Sequence, residues 1–161
     1  MISEFDMSAV NIPYGVLHDS SLTSVKCENN KMIFSFDIEI FPQDYTDDFY
    51  KQYEKFKKCN MIVEMAEEPF NYFSLLTCIN NRGKFKGLSL NREDFLYAVN
   101  SATKATFIEC SSTYSEFKIE LSVSYHNAKG KARKYKKYDM FNITLDAKKL
   151  YGNGFKQKKK A

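Results

Sequence analysis

Along residues 32–40, Met32, Phe34, Phe36, Ile38 and Ile40 alternate with Ile33, Ser35, Asp37 and Glu39. A β-strand sends successive side chains to opposite faces, so this spacing predicts a strand with one buried face and one largely wet face. Residues 22–28 form a shorter run that sets Thr23, Val25 and Cys27 on one side. Between the two runs, Asn29-Asn30 tolerates the positive φ of a tight hairpin turn. The prediction is a hairpin that ends at Phe41-Pro42, since proline cannot donate to a ladder.

The same alternation returns further on. Residues 59–65 place Cys59, Met61, Val63 and Met65 on one face, and residues 73–80 and 84–90 form a second hairpin around Asn81-Arg82-Gly83. Residues 103–110 and 117–126 form a third. In its outgoing strand Phe117, Ile119, Leu121, Val123 and Tyr125 point one way, while Lys118, Glu120, Ser122, Ser124 and His126 point the other. A last strand falls between residues 133 and 145, with Phe141, Ile143 and Leu145 as its core residues.

Two stretches change period. After Thr46, Phe49, Tyr53 and Phe56 recur at helical spacing, with Asp47 and Asp48 at the positive end of the helix and Lys55, Lys57 and Lys58 at the negative end. Asn91 caps a second short helix, with Asp94 in the reciprocal capping position and Phe95, Leu96 and Val99 turned inward. The fold class is therefore mainly β (α+β by count): an antiparallel sandwich or rolled sheet of about seven to nine strands with two short helices. Residues 1–150 form a single β-rich domain, followed by a basic tail over residues 151–161.

Composition adds bounds. Hydrophobic residues make up 43% of the 161-residue chain and aromatics 16%, enough for a core and too much for global disorder. No run approaches the ~20 apolar residues of a membrane span, and the first ten residues lack a basic region followed by an apolar one. Cys27, Cys59, Cys78 and Cys110 contain no C-x-x-C pair. They are expected to be reduced thiols packed as small apolar groups in a cytoplasmic protein. Charge is unevenly placed: residues 129–161 hold twelve of the 24 Lys/Arg and two of the 20 acids, a net +10, leaving −6 on the preceding residues. Such asymmetry points to a charged partner or a solvated tail.

Few constellations carry chemistry. His18-Asp19 has the composition of a metal-binding pair, but His126 is the only other histidine, so the ligand set of a phosphohydrolase cannot be assembled. The pair is expected to cap backbone groups at the entrance of the first strand. A Cys–His nucleophile is disfavoured because all four thiols fall on strands, away from any helix N-terminus that would lower a thiol pKa. Asp37 and Glu39 share a face, yet nothing apolar surrounds them to tune one as a general acid. With six glycines and neither a G-x-G-x-x-G nor a G-x-x-x-x-G-K-[ST] run, phosphate cradling by a glycine loop is excluded. No catalytic residue, metal or cofactor is expected.

Two binding readings remain. In the first, Asp37, Glu39, Asp44, Asp47 and Asp48 form an acidic docking surface for a protein partner. In the second, Lys134, Tyr135, Lys136 and Lys137, with Lys158, Lys159 and Lys160, interleave cations and rings as a nucleic-acid surface, lysines on phosphates and tyrosine on bases.

The leader Leu17-His18-Asp19-Ser20, its spacing to Val25, and the Asn29-Asn30 turn into Met32-Ile33-Phe34 resemble small bacterial β-rich proteins, some grouped with the immunity proteins of polymorphic toxin systems. The resemblance implies a bacterial cytoplasmic sheet protein that binds a toxin domain stoichiometrically and performs no chemistry. A net −6 body would suit a basic toxin electrostatically.

Overall fold

The structure, a computed structural model, describes residues 5–6, 20–37, 58–65, 75–80, 85–87, 91–113 and 116–153. Nine strands, β1 (Phe5–Asp6), β2 (Ser21–Glu28), β3 (Lys31–Asp37), β4 (Lys58–Met65), β5 (Leu75–Asn80), β6 (Phe85–Gly87), β7 (Lys104–Thr113), β8 (Glu116–Ser124) and β9 (Tyr138–Asn153), join one antiparallel sheet. Among the described residues one α-helix, α1 (Arg92–Asn100), precedes β7, and a 3₁₀ helix (Gly130–Tyr135) precedes β9. The mainly β class holds, and among its two forms the molecule takes the rolled sheet. The helix expected after Thr46 lies outside the described residues.

The sheet is ordered β4-β3-β2-β7-β8-β9-β5-β6, and β9 also pairs with β4 and β1. The length of β9 makes this possible. Its first half lies between β8 and β5, and its second half pairs with β4 from Asn60↔Asn153 to Met65↔Ala147. Lys148 is an extra residue at the junction, since Glu64 pairs with Lys149 and Met65 with Ala147. A bulge of this kind shifts the period-2 phase. It explains why Lys148 and Lys149 are both exposed and why Gly152 is buried after the odd-numbered core residues Phe141, Ile143 and Leu145. The same phase shift hides the second half of β9 from a sequence reading, so the strand runs to Asn153, past the expected tail boundary at residue 151.

The first hairpin forms as its pattern predicts. Asn29 and Asn30 take φ of 47° and 63°, the pair of left-handed residues a two-residue turn requires. Met32, Phe34 and Phe36 enter the core. A second bulge corrects β2: Leu22 pairs with Phe36 and Ser24 with Ser35, so Thr23 is the extra residue and turns outward, while Leu22 joins Val25 inside. Cys59, Met61, Val63 and Met65 of β4 are buried as their spacing requires, and Ile62, only 8% exposed, is also covered on the opposite face. Ile119, Leu121, Val123 and Tyr125 complete the core from β8.

The roll is not closed. β2 meets β7 at a single pair, Ser21↔Thr106, and beyond it β2 runs beside the junction of α1 and β7. There Asn100, at the C-terminus of α1, takes the place of a strand. Its Oδ1 accepts from the Val25 N–H and its Nδ2 donates to the Val25 carbonyl, both at 2.9 Å. One side chain thus satisfies both the N–H and the carbonyl of Val25. Asn91 caps the other end of α1, accepting from the Asp94 N–H at 2.8 Å, and Phe95, Ala98 and Val99 face the core. Leu96 is half-buried and packs against the core, and Ala98 joins the inward residues as well.

Candidate functional site

Residues 129–137 carry six cations in nine positions, Lys129, Lys131, Arg133, Lys134, Lys136 and Lys137, and all six side chains are exposed. The segment leaves β8 through a turn in which Asn127 and Gly130 both take φ of 62°. It then winds into the 3₁₀ helix rather than starting the last strand at residue 133. A 3₁₀ turn brings side chains three apart into line, and here it turns Ala132 and Tyr135 inward while the cations between them face solvent.

Two tyrosines fasten this segment to the core. Tyr135 is 2% exposed and Tyr138 is 4% exposed. The Tyr135 ring packs 5.5 Å from Tyr125, and Tyr138 packs 6.2 Å from Phe141. Each anchor holds a cation above it: Lys134 Nζ lies 5.0 Å from the Tyr135 centroid and Lys137 Nζ 5.3 Å from that of Tyr138. The ring quadrupole attracts an ammonium at this range. Tyr135 was expected to stack on bases, and its burial rules that out. Its part is to hold the backbone from which Lys134 and Lys136 project.

The exposed ring beside this segment belongs to α1. Tyr97 is 40% exposed and is the one large apolar side chain in that state among the described residues. Its ring lies 6.5 Å from that of Tyr135. The Tyr125 hydroxyl ties this part of α1 to β8 by donating to the Ala98 carbonyl. Thr103 ties the following loop to the end of β8 through its N–H and hydroxyl on the Ser124 carbonyl. The sequence offered one signal for Tyr97: a large aromatic between Leu96 and Ala98 on a helix that buries Phe95, Ala98 and Val99 has no place in the core.

A cleft of about 340 Å³ opens at the other edge of the basic segment, lined by Ser124, His126, Asn127, Lys136, Tyr138 and Asp139. His126 is exposed here, as its place on the polar side of its strand predicts. Asp139 and Lys136 both line it, so this cleft is mixed in charge, whereas residues 129–137 contain no acid.

The acidic surface has less behind it. Of its five residues, Asp37 alone is described; Glu39, Asp44, Asp47 and Asp48 lie outside the described residues, as do His18, Asp19, Lys158, Lys159 and Lys160. Asp37 is half-buried and stands opposite Lys58 on β4. Lys31 is flanked by Glu28 and Glu64, and Glu64 lies 3.9 Å from Lys148. The outer face of β2, β3 and β4 therefore alternates in sign and shows no acidic excess among the described residues.

Among the described residues no group of three or more His, Cys, Asp or Glu could hold a metal ion, and no helix is long and apolar enough to cross a membrane. Cys27 and Cys59 are free thiols. Burial, with the Asp37 carboxylate as a second cause, pushes the Cys59 thiol far above its ordinary value of 9.0, so it stays protonated in the native protein. A protonated thiol in a strand interior is a packing group and a poor nucleophile. Comparison of the chain with protein-family models, with curated proteins and with solved structures finds no match.

Proposed function

We propose that this protein is a non-catalytic nucleic-acid-binding module that uses residues 129–137 as its phosphate-contacting surface. The observation that carries the reading is the set of six exposed cations on a segment anchored by two buried tyrosines. Anchoring matters energetically, because a lysine on a fixed backbone loses less freedom on binding than one on a loose tail. The competing reading, an acidic face that neutralises a basic toxin, draws on Asp37 alone among the described residues, and Asp37 stands opposite a lysine.

Binding of this kind works by counterion release. Each phosphate neutralised on a single strand contributes about 0.7 to the fall of log affinity with log salt, so six engaged cations give a slope of about −4. Fluorescence anisotropy with labelled oligonucleotides over 50–300 mM salt measures it; that range brackets about 0.15 M, where the screening length is ~8 Å. Replacing Lys131, Arg133 and Lys134 with Gln lowers affinity and flattens the slope by about 2. A flat salt dependence, or a triple variant with an unchanged slope, contradicts the proposal.

A further inference from the structure

We infer that Tyr97 is a base-stacking platform, and that the nucleic acid recognised by the basic segment is single-stranded. This rests on the proposed function and names the form of nucleic acid it takes. The juxtaposition is specific. An exposed ring on α1 and a run of cations on the 3₁₀ helix meet at one buried ring, Tyr135. Tyr97 lies 6.5 Å from Tyr135, and the Lys134 ammonium lies 5.0 Å from the same ring. The ammonium is therefore at most about 12 Å from the exposed ring. A phosphate-binding row beside an accessible aromatic face is how sequence-tolerant single-strand binders are built, because every unpaired base offers a π-face. In a duplex the base faces are stacked on one another, and an exposed tyrosine on a helix gains nothing from them.

The surrounding charges fix the direction of the strand. Glu93 shares the Tyr97 face of α1 one turn toward the N-terminus, and Asp94 is exposed beside it. Both repel phosphate. The last turn of α1 carries no acid, and the ring beside Tyr97, that of Tyr135, belongs to the 3₁₀ helix with Lys131, Arg133 and Lys134. A strand with one base on Tyr97 therefore runs toward the 3₁₀ helix and away from Glu93. Pyrimidine oligonucleotides of DNA and RNA share the chemistry in question, a negative backbone with unpaired rings, so both serve as probes.

The chain contains no tryptophan, which makes Tyr97→Trp a site-specific reporter. The full-length protein and its Tyr97→Ala and Tyr97→Trp variants are titrated with oligo(dT), oligo(U) and a hairpin duplex of equal charge. Stacking contributes about 1–3 kcal/mol per base, so Tyr97→Ala weakens single-strand binding by roughly 5- to 150-fold. Its salt slope and its duplex affinity stay unchanged, while Tyr97→Trp binds single strands at least as well as the wild type and its emission is quenched on binding. Loss with oligo(dT), oligo(U) or both supports the inference, and the larger loss identifies the preferred strand. The inference is overturned if Tyr97→Ala binds both single strands as the wild type does, or if the tryptophan emission is unmoved while anisotropy reports binding. Wild-type protein that binds neither single strand nor duplex overturns the proposed function as well, whereas salt-dependent binding that is indifferent to residue 97 overturns this inference alone.

Discussion

Cys59 shows how much of a residue's chemistry is decided by its neighbours across the sheet. On β4 it stands opposite Phe36 of β3, one residue from the Asp37–Lys58 pair, and its thiol is buried. The folded protein holds the thiol proton more tightly than the unfolded chain, in which the thiol ionises near 9.0. Below that pH both states carry the proton and the full contribution to stability is present. As pH rises past 9.0 only the unfolded chain ionises, so stability falls, by up to about 1.4 kcal/mol for each further pH unit. Urea denaturation at pH 8 and pH 10, compared with a Cys59→Ala variant, separates this from the lysines and tyrosines common to both proteins. The wild type loses more stability over that interval than the variant, and equal losses would contradict the burial of a protonated thiol. The alternating pattern of residues 59–65 was enough to place this thiol in the core. The repulsion from Asp37 was not legible, because it depends on the register of β3 against β4.

At the scale of elements, the strands that alternate without interruption were legible and those with a bulge were not. The inward faces of β3, β4 and β8 follow directly from period 2, and the Asn29-Asn30 turn from the tolerance of asparagine for positive φ. Thr23 and Lys148 each add one residue to a strand: the first turns outward although it was grouped with Val25 and Cys27, and the second breaks the alternation that would have extended the last strand past Leu145. The last strand starts at Tyr138, inside the expected span, and the residues before it form a 3₁₀ turn that buries Ala132 and Tyr135, three residues apart. Asn100 is the strongest case of a role set from outside its own element, since its two hydrogen bonds reach a residue 75 positions away. Removing it with Asn100→Ala leaves the Val25 N–H and carbonyl on the gap side of β2 without these partners. The expected cost is about 1–2 kcal/mol, reduced from the full value for a buried pair because the side chain itself is exposed. Urea unfolding with an unchanged slope and a lowered midpoint reports it. A variant as stable as the wild type would mean that water replaces the carboxamide at no cost.

Across the whole molecule, the rolled sheet separates its two outer regions by charge. The outer face of β2, β3 and β4 sets each described acid opposite a lysine, as at Glu28↔Lys31 and Asp37↔Lys58. Such pairs on an exposed sheet face contribute little to stability and cancel at a distance. The 129–137 segment holds six cations and no acid of its own, so a net positive field remains there. The excess of cations toward the C-terminus was visible in the sequence, and so was half of the candidate site: Lys134, Lys136 and Lys137 stand exposed as expected. The stacking ring was assigned to Tyr135 because it lies among the lysines, while the exposed ring is Tyr97, on the part of α1 that Tyr125, just past β8, holds through the Ala98 carbonyl. Linear proximity pointed to the buried anchor, and only the fold shows the exposed ring beside it.

On the proposed function, nucleic acid is held by the 3₁₀ segment and the exposed turn of α1, and not by the outer sheet face. Titration of the ¹⁵N-labelled full-length protein with oligo(dT), followed by amide chemical shifts, tests it most directly. The account predicts shifts concentrated at residues 129–137 and around Tyr97, with Lys26, Lys31 and Lys58 on the outer sheet face undisturbed. Shifts concentrated on that outer face, or none at an oligonucleotide excess, would contradict it.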